Sequence, residues 1–234
     1  MKARILIVED EEHIATGLRF NLEAEGYDVV CAADGEQAIA EFTAGDFDAA
    51  VLDVMLPGID GFEVAKRLRE KKDYTPILML TALGQAEDVL KGFEAGADDY
   101  LPKPFDLNIF FARVNGLIRR RDWLVEKKAE SSSVISVNGR MVDLGELKVE
   151  FEGETTAITI LEAKLLRYFN DHPERAVSRT EILTKVWDLA EDTDTRAIDN
   201  FVVRLRRIIG DTGDKPQLLQ TVRGVGYRFS PKGE

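Results

Sequence analysis

The first half of the chain alternates short apolar runs with amphipathic stretches. The apolar runs have the length of buried strands, and the stretches between them carry apolar residues on one helical face. The runs fall at 4–8, 28–32, 49–54, 76–80 and 97–101, and the helical stretches at 12–25, 35–44, 61–71, 85–95 and 106–121. Five β–α units in this order predict a doubly wound α/β fold, with a five-stranded parallel sheet between two layers of helices.

The pattern changes after residue 121. Residues 122–133 are charged and then serine-rich, which is typical of a short linker. Short alternating runs over 134–158 predict strands, and three helical stretches follow. Two of these helices begin at sequences that fit a capping box, Thr159–Glu162 and Ser178–Glu181, and the third is expected from about 195 to 209. Two final strands, at 218–222 and 226–229, complete an α+β winged helix-turn-helix domain over 134–232.

The composition supports two domains of ordinary size. The chain has 234 residues, of which 44% are hydrophobic, and no run of about 18 apolar residues. We therefore expect no membrane span, and the N-terminal apolar run is too short for a signal peptide. The single cysteine, Cys31, lies in an apolar run and is expected to be a buried thiol. These features favour the reducing cytoplasm.

The distribution of charge is more informative than its sum. The net charge of −12 argues against simple binding to a polyanion, and residues 1–121 account for −9 of it. Residues 196–228, however, carry a net charge of +4. This segment is the candidate surface for a polyanion such as DNA.

Polar groups follow four of the five predicted strands of the first domain. The carboxyl ends of parallel strands meet at one edge of the sheet, where α/β folds place their ligands. The residues are Glu9 and Asp10, Asp53, Thr81 and Lys103. Three carboxylates at one edge repel one another, so a divalent cation and a lysine are needed to balance them.

This set suits the transfer of a phosphoryl group to a carboxylate. Asp53 is the candidate nucleophile, because a pocket at the end of a strand leaves it ionised and accessible. Asp10, with Glu9 through water, and the backbone carbonyl of Met55 are candidate ligands for Mg²⁺.

Two further groups are suited to the oxygens of a bound phosphoryl. Lys103 would act as a point charge and Thr81 as a hydrogen-bond donor. Taken singly, each feature has an ordinary explanation: a solvated acid, a turn at Lys-Pro or a capping threonine. Their joint occurrence at the strand ends favours a shared site.

Residues 1–121 resemble a response-regulator receiver domain, which has a flavodoxin-like fold. The matching motifs are Glu9-Asp10-Glu11, Asp53-Val-Met-Leu-Pro57-Gly58, Leu80-Thr81-Ala82 and Asp98-Asp99-Tyr100-Leu-Pro-Lys103-Pro104. The resemblance implies that Asp53 receives a phosphoryl group from the phosphohistidine of a sensor histidine kinase. It also implies Mg²⁺ at Glu9, Asp10, Asp53 and the Met55 carbonyl, and phosphoryl contacts from Lys103 and Thr81. Further implications are a cis Lys103–Pro104 bond and a switch in which Tyr100 turns inward.

The helix predicted at 195–209 presents a polar face opposite its apolar one. In a helix-turn-helix, such a face enters the major groove. Its candidate DNA contacts are Arg196, Asn200, Val203, Arg204 and Arg207. Arg223, at the tip of the hairpin, suits the minor groove or the backbone. Charge spacing alone leaves open an ordinary solvated face.

Residues 134–229 resemble the DNA-binding domain of OmpR/PhoB-type transcription factors. The motifs are Leu161-Glu-Ala-Lys-Leu-Leu166, Val177-Ser-Arg-Thr-Glu-Ile-Leu183, Arg204-Leu-Arg-Arg207 and Gln220-Thr-Val-Arg223-Gly-Val-Gly226-Tyr227. The resemblance implies that Arg196, Arg204 and Arg223 contact DNA and that Thr221 binds a phosphate. It leaves Arg206 and Arg228 as residues that can be structural.

The same family dimerises its receivers through the fourth and fifth helices. On that basis the expected interface includes Lys91 with Asp98 and Asp99 with Arg113. Val89 and Ile109 stand where a basic residue and a glutamate are usual, so one ionic bridge is replaced by an apolar contact.

Three functions fit these residues. The first is a transcription factor that forms a homodimer on phosphorylation and binds repeated half-sites of double-stranded DNA about 10–11 bp apart, with RNA polymerase as a further partner. The second is an aspartyl phosphatase, which usually needs an acid two residues after its nucleophile, where this chain has Met55. The third is a phosphorylation switch that docks other proteins. The first is preferred, and the protein is then a phosphoacceptor and regulator and not an enzyme.

Overall fold

A computed structural model describes residues 2–81, 91–92, 95–128, 134–187 and 196–231, with the backbone alone for 120–128 and 196–197. The chain divides into two compact units, Met1–Arg121 and Asp122–Glu234. Within these described residues, no helix is both long and apolar enough to cross a bilayer.

The first unit contains a parallel sheet with the strand order β2-β1-β3-β4-β5. The strands are β1 (Arg4–Val8), β2 (Asp28–Ala32), β3 (Ala49–Asp53), β4 (Ile77–Thr81) and β5 (Asp99–Pro102). The helices are α1 (Glu12–Ala24), α2 (Gly35–Ala44), α3 (Gly61–Glu70) and α4 (Leu107–Lys128). This architecture confirms the predicted doubly wound sheet. The helix expected at 85–95 lies largely outside the described residues.

The central strands are apolar along their whole length because helices cover both faces of the sheet. On one face, Ile7, Val51 and Leu80 pack with Leu22 of α1 and Phe110 of α4. This core fixes the strands in register, with Val8 opposite Leu52 and Asp53 opposite Leu80. The polar residues that follow β1 and end β3 are therefore brought to the same edge.

Two expectations for the first unit differ from the structure. Cys31 is exposed and not buried, because β2 is an edge strand of the sheet. The last helix of this unit does not stop near Arg121, since α4 continues to Lys128 and takes up seven of the twelve residues of the expected linker. The helix has no proline or glycine after Gly116 to end it, which is why charge alone is a poor guide to its end.

The second unit contains two antiparallel sheets and three described helices. A four-stranded sheet is formed by β6 (Val134–Val137), β7 (Arg140–Asp143), β8 (Lys148–Phe151) and β9 (Glu154–Ala157). The helices are α5 (Ile160–Asp171), α6 (Arg179–Lys185) and α7 (Arg196–Ile208). The terminal hairpin, β11 (Leu219–Val222) and β12 (Gly226–Phe229), pairs through β12 with β10 (Ala176–Ser178). The winged helix-turn-helix is confirmed, while strand β10 is an addition to the predicted elements.

The two predicted helix starts differ in their capping. At the start of α5, Thr159 and Glu162 form the complete capping box. At the start of α6, the hydroxyl of Ser178 accepts from the backbone N–H of Glu181 at 3.0 Å. The Glu181 carboxylate instead accepts from Arg175 and Tyr168, so only the serine half of the second box matches the expectation.

Candidate phosphoacceptor site and DNA-binding surface

Three carboxylates converge at the carboxyl edge of the parallel sheet. Oxygens of Glu9, Asp10 and Asp53 all lie within 4.8 Å of one another. Glu9 and Asp53 are buried, at 2% and 4% exposure, while Asp10 is open to solvent. The residues predicted at the ends of β1 and β3 therefore form one cluster with an accessible side.

Lys103 lies between two of these carboxylates. Its Nζ donates to Asp53 Oδ2 at 2.7 Å and to Glu9 Oε2 at 2.7 Å. Burial raises the pKa of Glu9, and the hydrogen bond from Lys103 opposes that effect only in part. Burial alone would lower the pKa of Lys103, but its hydrogen bonds to Asp53 and Glu9 outweigh burial and raise that pKa. The lysine thus stays charged and balances the acidic cluster.

The backbone around Asp53 holds its carboxylate in place. The N–H of Met55 donates to Asp53 Oδ1 at 2.9 Å, while the Met55 side chain is 59% exposed. Helix α3 begins against the same loop, where Gly61 donates its N–H to the Val54 carbonyl. A Cβ on Gly61 would lie 2.2 Å from the Asp53 carbonyl oxygen. Only glycine allows this close approach of helix and loop.

Thr81 and Tyr100 lie on the neighbouring strands. Thr81 is fully buried, and its carbonyl accepts from the N–H of Lys103 at 2.6 Å. Tyr100 is also buried, at 6% exposure. The Lys103–Pro104 peptide bond is cis, as the resemblance implied. Thr81 and Tyr100 therefore lie on either side of the segment that carries Lys103.

The oxygen donors of the cluster fit a hard divalent cation. Carboxylate oxygens are the ligands that Mg²⁺ prefers, and an accessible side leaves room for the several waters that Mg²⁺ retains. The cluster of Glu9, Asp10 and Asp53 meets both conditions. Such an acidic pocket is the type of site at which receiver domains bind Mg²⁺.

Some of the residues expected at a dimer interface are exposed, and others are buried and paired within the chain. Lys91 and Ile109 are exposed. Asp98 is 1% exposed, and its Oδ2 accepts from Arg69 and from the Ile77 N–H, both at 3.0 Å. Asp99 and Arg113 are buried and pair with each other in the same chain. Val89 lies outside the described residues.

The contact between Arg69 and Asp98 is part of a larger hydrogen-bond network. Its guanidinium also donates to the carbonyls of Gly96, Asp73 and Thr75. Sequence reasoning misses this arginine, because Arg67-Leu-Arg69 gives no signal beyond a basic helix end.

Helix α7 exposes some of its predicted DNA contacts, but one of them is largely buried. Arg207 is exposed, Val203 is 38% exposed and Asn200 is partly exposed. Arg204 is the exception, since its Nε forms an ion pair with Glu162 and its side chain is only 17% exposed. The side chain of Arg196 lies outside the described part of the chain. Arg204 is therefore oriented toward α5, whereas the sequence placed it among the DNA contacts on the polar face of the helix.

The hairpin presents its tip to solvent. Arg223, Gly224 and Val225 are all exposed, and a Cβ on Gly224 would meet nothing within 4 Å. Thr221 is exposed on β11, and its hydroxyl accepts from Arg206 Nη2 at 3.0 Å. Arg206 also donates to the Leu219 carbonyl, which ties α7 to β11.

Arg228 has a structural contact of its own. Its Nη2 donates to the Gln220 side chain at 2.6 Å, across the two strands of the hairpin. Together with the bonds of Arg206, this confirms that arginines at these two positions can be structural.

The geometry defines a class of protein: a doubly wound α/β unit with an acidic pocket that holds a lysine, followed by a winged helix-turn-helix. Residues 5–115 match the family described as "Response regulator receiver domain", and residues 153–229 match "Transcriptional regulatory protein, C terminal". The chain belongs to the OmpR/PhoB family of two-component response regulators. It is a regulator of transcription.

Similar proteins and similar solved structures match this chain along nearly its whole length. The chain is 40% identical to the alkaline phosphatase synthesis transcriptional regulatory protein PhoP of Bacillus subtilis, covering 98% of this chain and 97% of PhoP. It is also 40% identical to the transcriptional regulatory protein CusR of Escherichia coli, over 99% and 100% of the two chains. A solved structure of a RitR mutant has a TM-score of 0.74 and 26% identity, and it covers 97% of this chain and 99% of its own. The OmpR/PhoB homologue DrrB of Thermotoga maritima has a TM-score of 0.52 and 30% identity, over 98% and 100%.

Proposed function

We propose that Asp53 is the phosphoacceptor of this response regulator. A carboxylate oxygen of Asp53 attacks the phosphorus of a phosphohistidine, the P–N bond breaks toward the imidazole, and an acyl phosphate forms. The observation that carries this proposal is the position of Lys103, whose Nζ lies 2.7 Å from Asp53 Oδ2. The lysine is within reach of a phosphoryl oxygen on that carboxylate. Thr81, at the end of the adjacent strand, is the proposed donor to another oxygen.

Mg²⁺ is the proposed cofactor, held by Glu9, Asp10 and Asp53 with the backbone carbonyl of Met55. When bound, it would neutralise charge on the transferring phosphoryl group. The clustering of the three carboxylates supports this assignment. The donor of the phosphoryl group is proposed to be a sensor histidine kinase in the cytoplasm, where the DNA target also lies.

Phosphorylation is proposed to act through dimerisation. The proposed interface between the two receivers is formed by six residues: Lys91, Asp98, Asp99, Arg113, Val89 and Ile109. Two joined chains place two winged domains on repeated half-sites, and the second domain then binds at a raised effective concentration. The protein is a regulator and not an enzyme in this proposal, and RNA polymerase is its proposed further partner.

The proposed DNA contacts come from α7 and the hairpin. Arg196, Asn200, Val203 and Arg207 face the major groove, with Val203 suited to a thymine methyl group. Thr221 binds a phosphate, and Arg223 contacts the minor groove or the DNA backbone. Arg204 is proposed to contact DNA only if it leaves Glu162, since its guanidinium is otherwise engaged.

The test measures phosphorylation and DNA binding in the same protein. The full chain is incubated with acetyl phosphate and Mg²⁺, and phosphorylated protein is separated on a phosphate-affinity gel. We expect phosphorylation of the wild type and of Asp46→Asn, which removes an exposed acid away from the cluster, but none of Asp53→Asn. Selection of bound sequences from a random DNA pool, with and without phosphorylation, then tests the output. Phosphorylation of Asp53→Asn at the wild-type level would refute the assignment.

A further inference from the structure

Helix α7, which carries most of the proposed DNA contacts, has a carboxylate where electrostatics disfavours one. Asp199 lies in the first turn of α7, within the basic segment, and its side chain is 49% exposed. A negative charge beside DNA repels the phosphates and weakens binding to any sequence. A carboxylate in the first turn of a helix also stabilises that helix through the helix dipole. The contacts of Asp199 point to a more specific role.

Asp199 joins three elements of the winged domain. Arg179 Nε, at the start of α6, donates to Asp199 Oδ1 at 2.8 Å. The hydroxyl of Tyr227, on strand β12, donates to the same oxygen. Arg179 Nη2 also lies 3.2 Å from the Tyr227 hydroxyl, which closes a triangle of hydrogen bonds. One carboxylate thus links both helices of the helix-turn-helix to the hairpin.

Tyr227, one corner of this triangle, is tightly packed. Tyr227 is 3% exposed, and the guanidinium of Arg179 lies 4.9 Å from the centre of its ring. Its neighbour Gly226 packs so closely on β10 that a Cβ would lie 2.1 Å from the Val177 carbonyl oxygen. Strand β12 therefore has little freedom to move, and Asp199 attaches α7 to that fixed strand.

We infer that Asp199 is a positioning residue for sequence-specific DNA binding. It fixes the angle between α7 and the hairpin, so that Arg207 and the wing tip at Arg223 reach DNA in one geometry. The bonds of Arg206 to β11 make a second tie to the same hairpin. This inference rests on the proposed function, because it assigns a role within the DNA-binding surface.

A positioning role for Asp199 predicts a different effect on DNA binding from a role that depends on its charge or on helix stability alone. Sequence-specific binding needs α7 and the hairpin to be aligned, whereas non-specific binding depends mainly on charge. Asp199→Asn removes a negative charge and weakens the links to Arg179 and Tyr227. Binding to unrelated DNA should therefore tighten, while binding to the preferred sequence weakens. A purely electrostatic role predicts tighter binding to both.

The experiment compares two duplexes. A preferred sequence is first selected with the wild-type full chain from a random pool, and a scrambled duplex of equal composition serves as the non-specific target. Fluorescence anisotropy gives the affinity for each at several salt concentrations. Asp214→Asn is the matched control, because it removes an exposed acid from the same basic segment without touching the triangle.

We expect the ratio of specific to non-specific affinity to fall about tenfold in Asp199→Asn and to stay unchanged in Asp214→Asn. Tyr227→Phe keeps the ring and the net charge, so it should lower the ratio without changing the slope of affinity against salt. Thermal melts confirm folding at the assay temperature, and Tyr227→Phe carries the test if Asp199→Asn is unfolded there. Equal tightening on both duplexes in Asp199→Asn, or a wild-type ratio in Tyr227→Phe, would overturn the inference. A wild type without any sequence preference would instead overturn the proposed function itself.

Discussion

The guanidinium of Arg113 lies 2.5 Å from the carboxylate of Asp99 in the same chain. Both side chains are buried, Asp99 fully and Arg113 at 7% exposure. The pair joins strand β5 to helix α4, two elements next to the Lys103 segment. A dimer that used these residues across its interface would first have to open this contact or share it between chains.

Asp99→Asn should therefore destabilise the receiver. Removing one member of a buried ion pair leaves the other charge without its partner, at a typical cost of about 3 kcal/mol. Urea unfolding of the full chain measures this, with Glu70→Gln as the control. Glu70 belongs to an exposed pair with Lys66, and its loss should change stability by less than about 0.5 kcal/mol. Similar values for both variants would show that the buried pair contributes no more than a surface pair.

A second prediction concerns the close approach of α3 to Asp53, the proposed phosphoacceptor. In Gly61→Ala, the added Cβ would lie 2.2 Å from the Asp53 carbonyl oxygen, so the loop or the helix must shift. We expect at least a tenfold lower rate of phosphorylation by acetyl phosphate, together with lower stability. The control is Gly17→Ala in α1, where nothing lies within 4 Å of the new Cβ. That control should stabilise the helix by about 0.5–1 kcal/mol and leave the rate unchanged. A wild-type rate in Gly61→Ala would show that the fit at Gly61 does not position Asp53.

The raised pKa of Glu9 predicts how Mg²⁺ binding depends on pH. Burial raises that pKa, so protons compete with the metal at a higher pH than at an ordinary glutamate. The affinity for Mg²⁺, measured by isothermal titration calorimetry, should fall as the pH is lowered, and the fall should begin at a higher pH than for a site made of ordinary carboxylates. Glu9→Gln should bind Mg²⁺ more weakly and flatten this dependence on pH, whereas Asp46→Asn should follow the wild type. An unchanged pH slope in Glu9→Gln would place the proton on another group.

Tyr227 predicts a loss of stability in alkali. Burial, followed by the hydrogen bond to Asp199, raises its pKa to about 12. The unfolded chain loses the phenolic proton near pH 10, so the stabilisation is present below pH 10 and is lost as the pH rises to 12. The total is roughly 2–3 kcal/mol at about 1.4 kcal/mol per pKa unit. Fluorescence of the buried Trp187 reports unfolding of this domain. The loss should be smaller in Tyr227→Phe than in the wild type or in Tyr74→Phe; equal losses in all three would assign it to other groups.

The fold and the acidic site can largely be read from the sequence, because both depend on local patterns. Apolar runs such as 4–8 coincide with strands, and polar residues at their ends meet because parallel strands end at one edge. The three-residue strand β10 escapes such reasoning, since the strand with which it pairs, β12, lies about 50 residues later in the chain. Its sequence alone resembles the start of a helix.

Side-chain partners across elements are the hardest to foresee. Arg204 has the helical spacing of a DNA contact, but Glu162, some 40 residues earlier, pairs with it. The capping box predicts a role for only one oxygen of the Glu162 carboxylate, and the other oxygen takes the arginine. Asp199 and Tyr227 come together in the same way. A periodicity argument places a residue on a face, whereas its partner depends on the tertiary fold.

The open wing tip bears on how such regulators diverge. Gly224 adopts a positive φ of 74° in a turn whose three residues are exposed. The strands on either side are fixed by Arg206, Tyr227 and Arg228, so changes at the tip leave the hairpin intact. Substitutions of Arg223 and Val225 can therefore accumulate at little cost in stability, whereas the positive φ at position 224 favours glycine. New operator preferences can arise there while the rest of the domain stays the same.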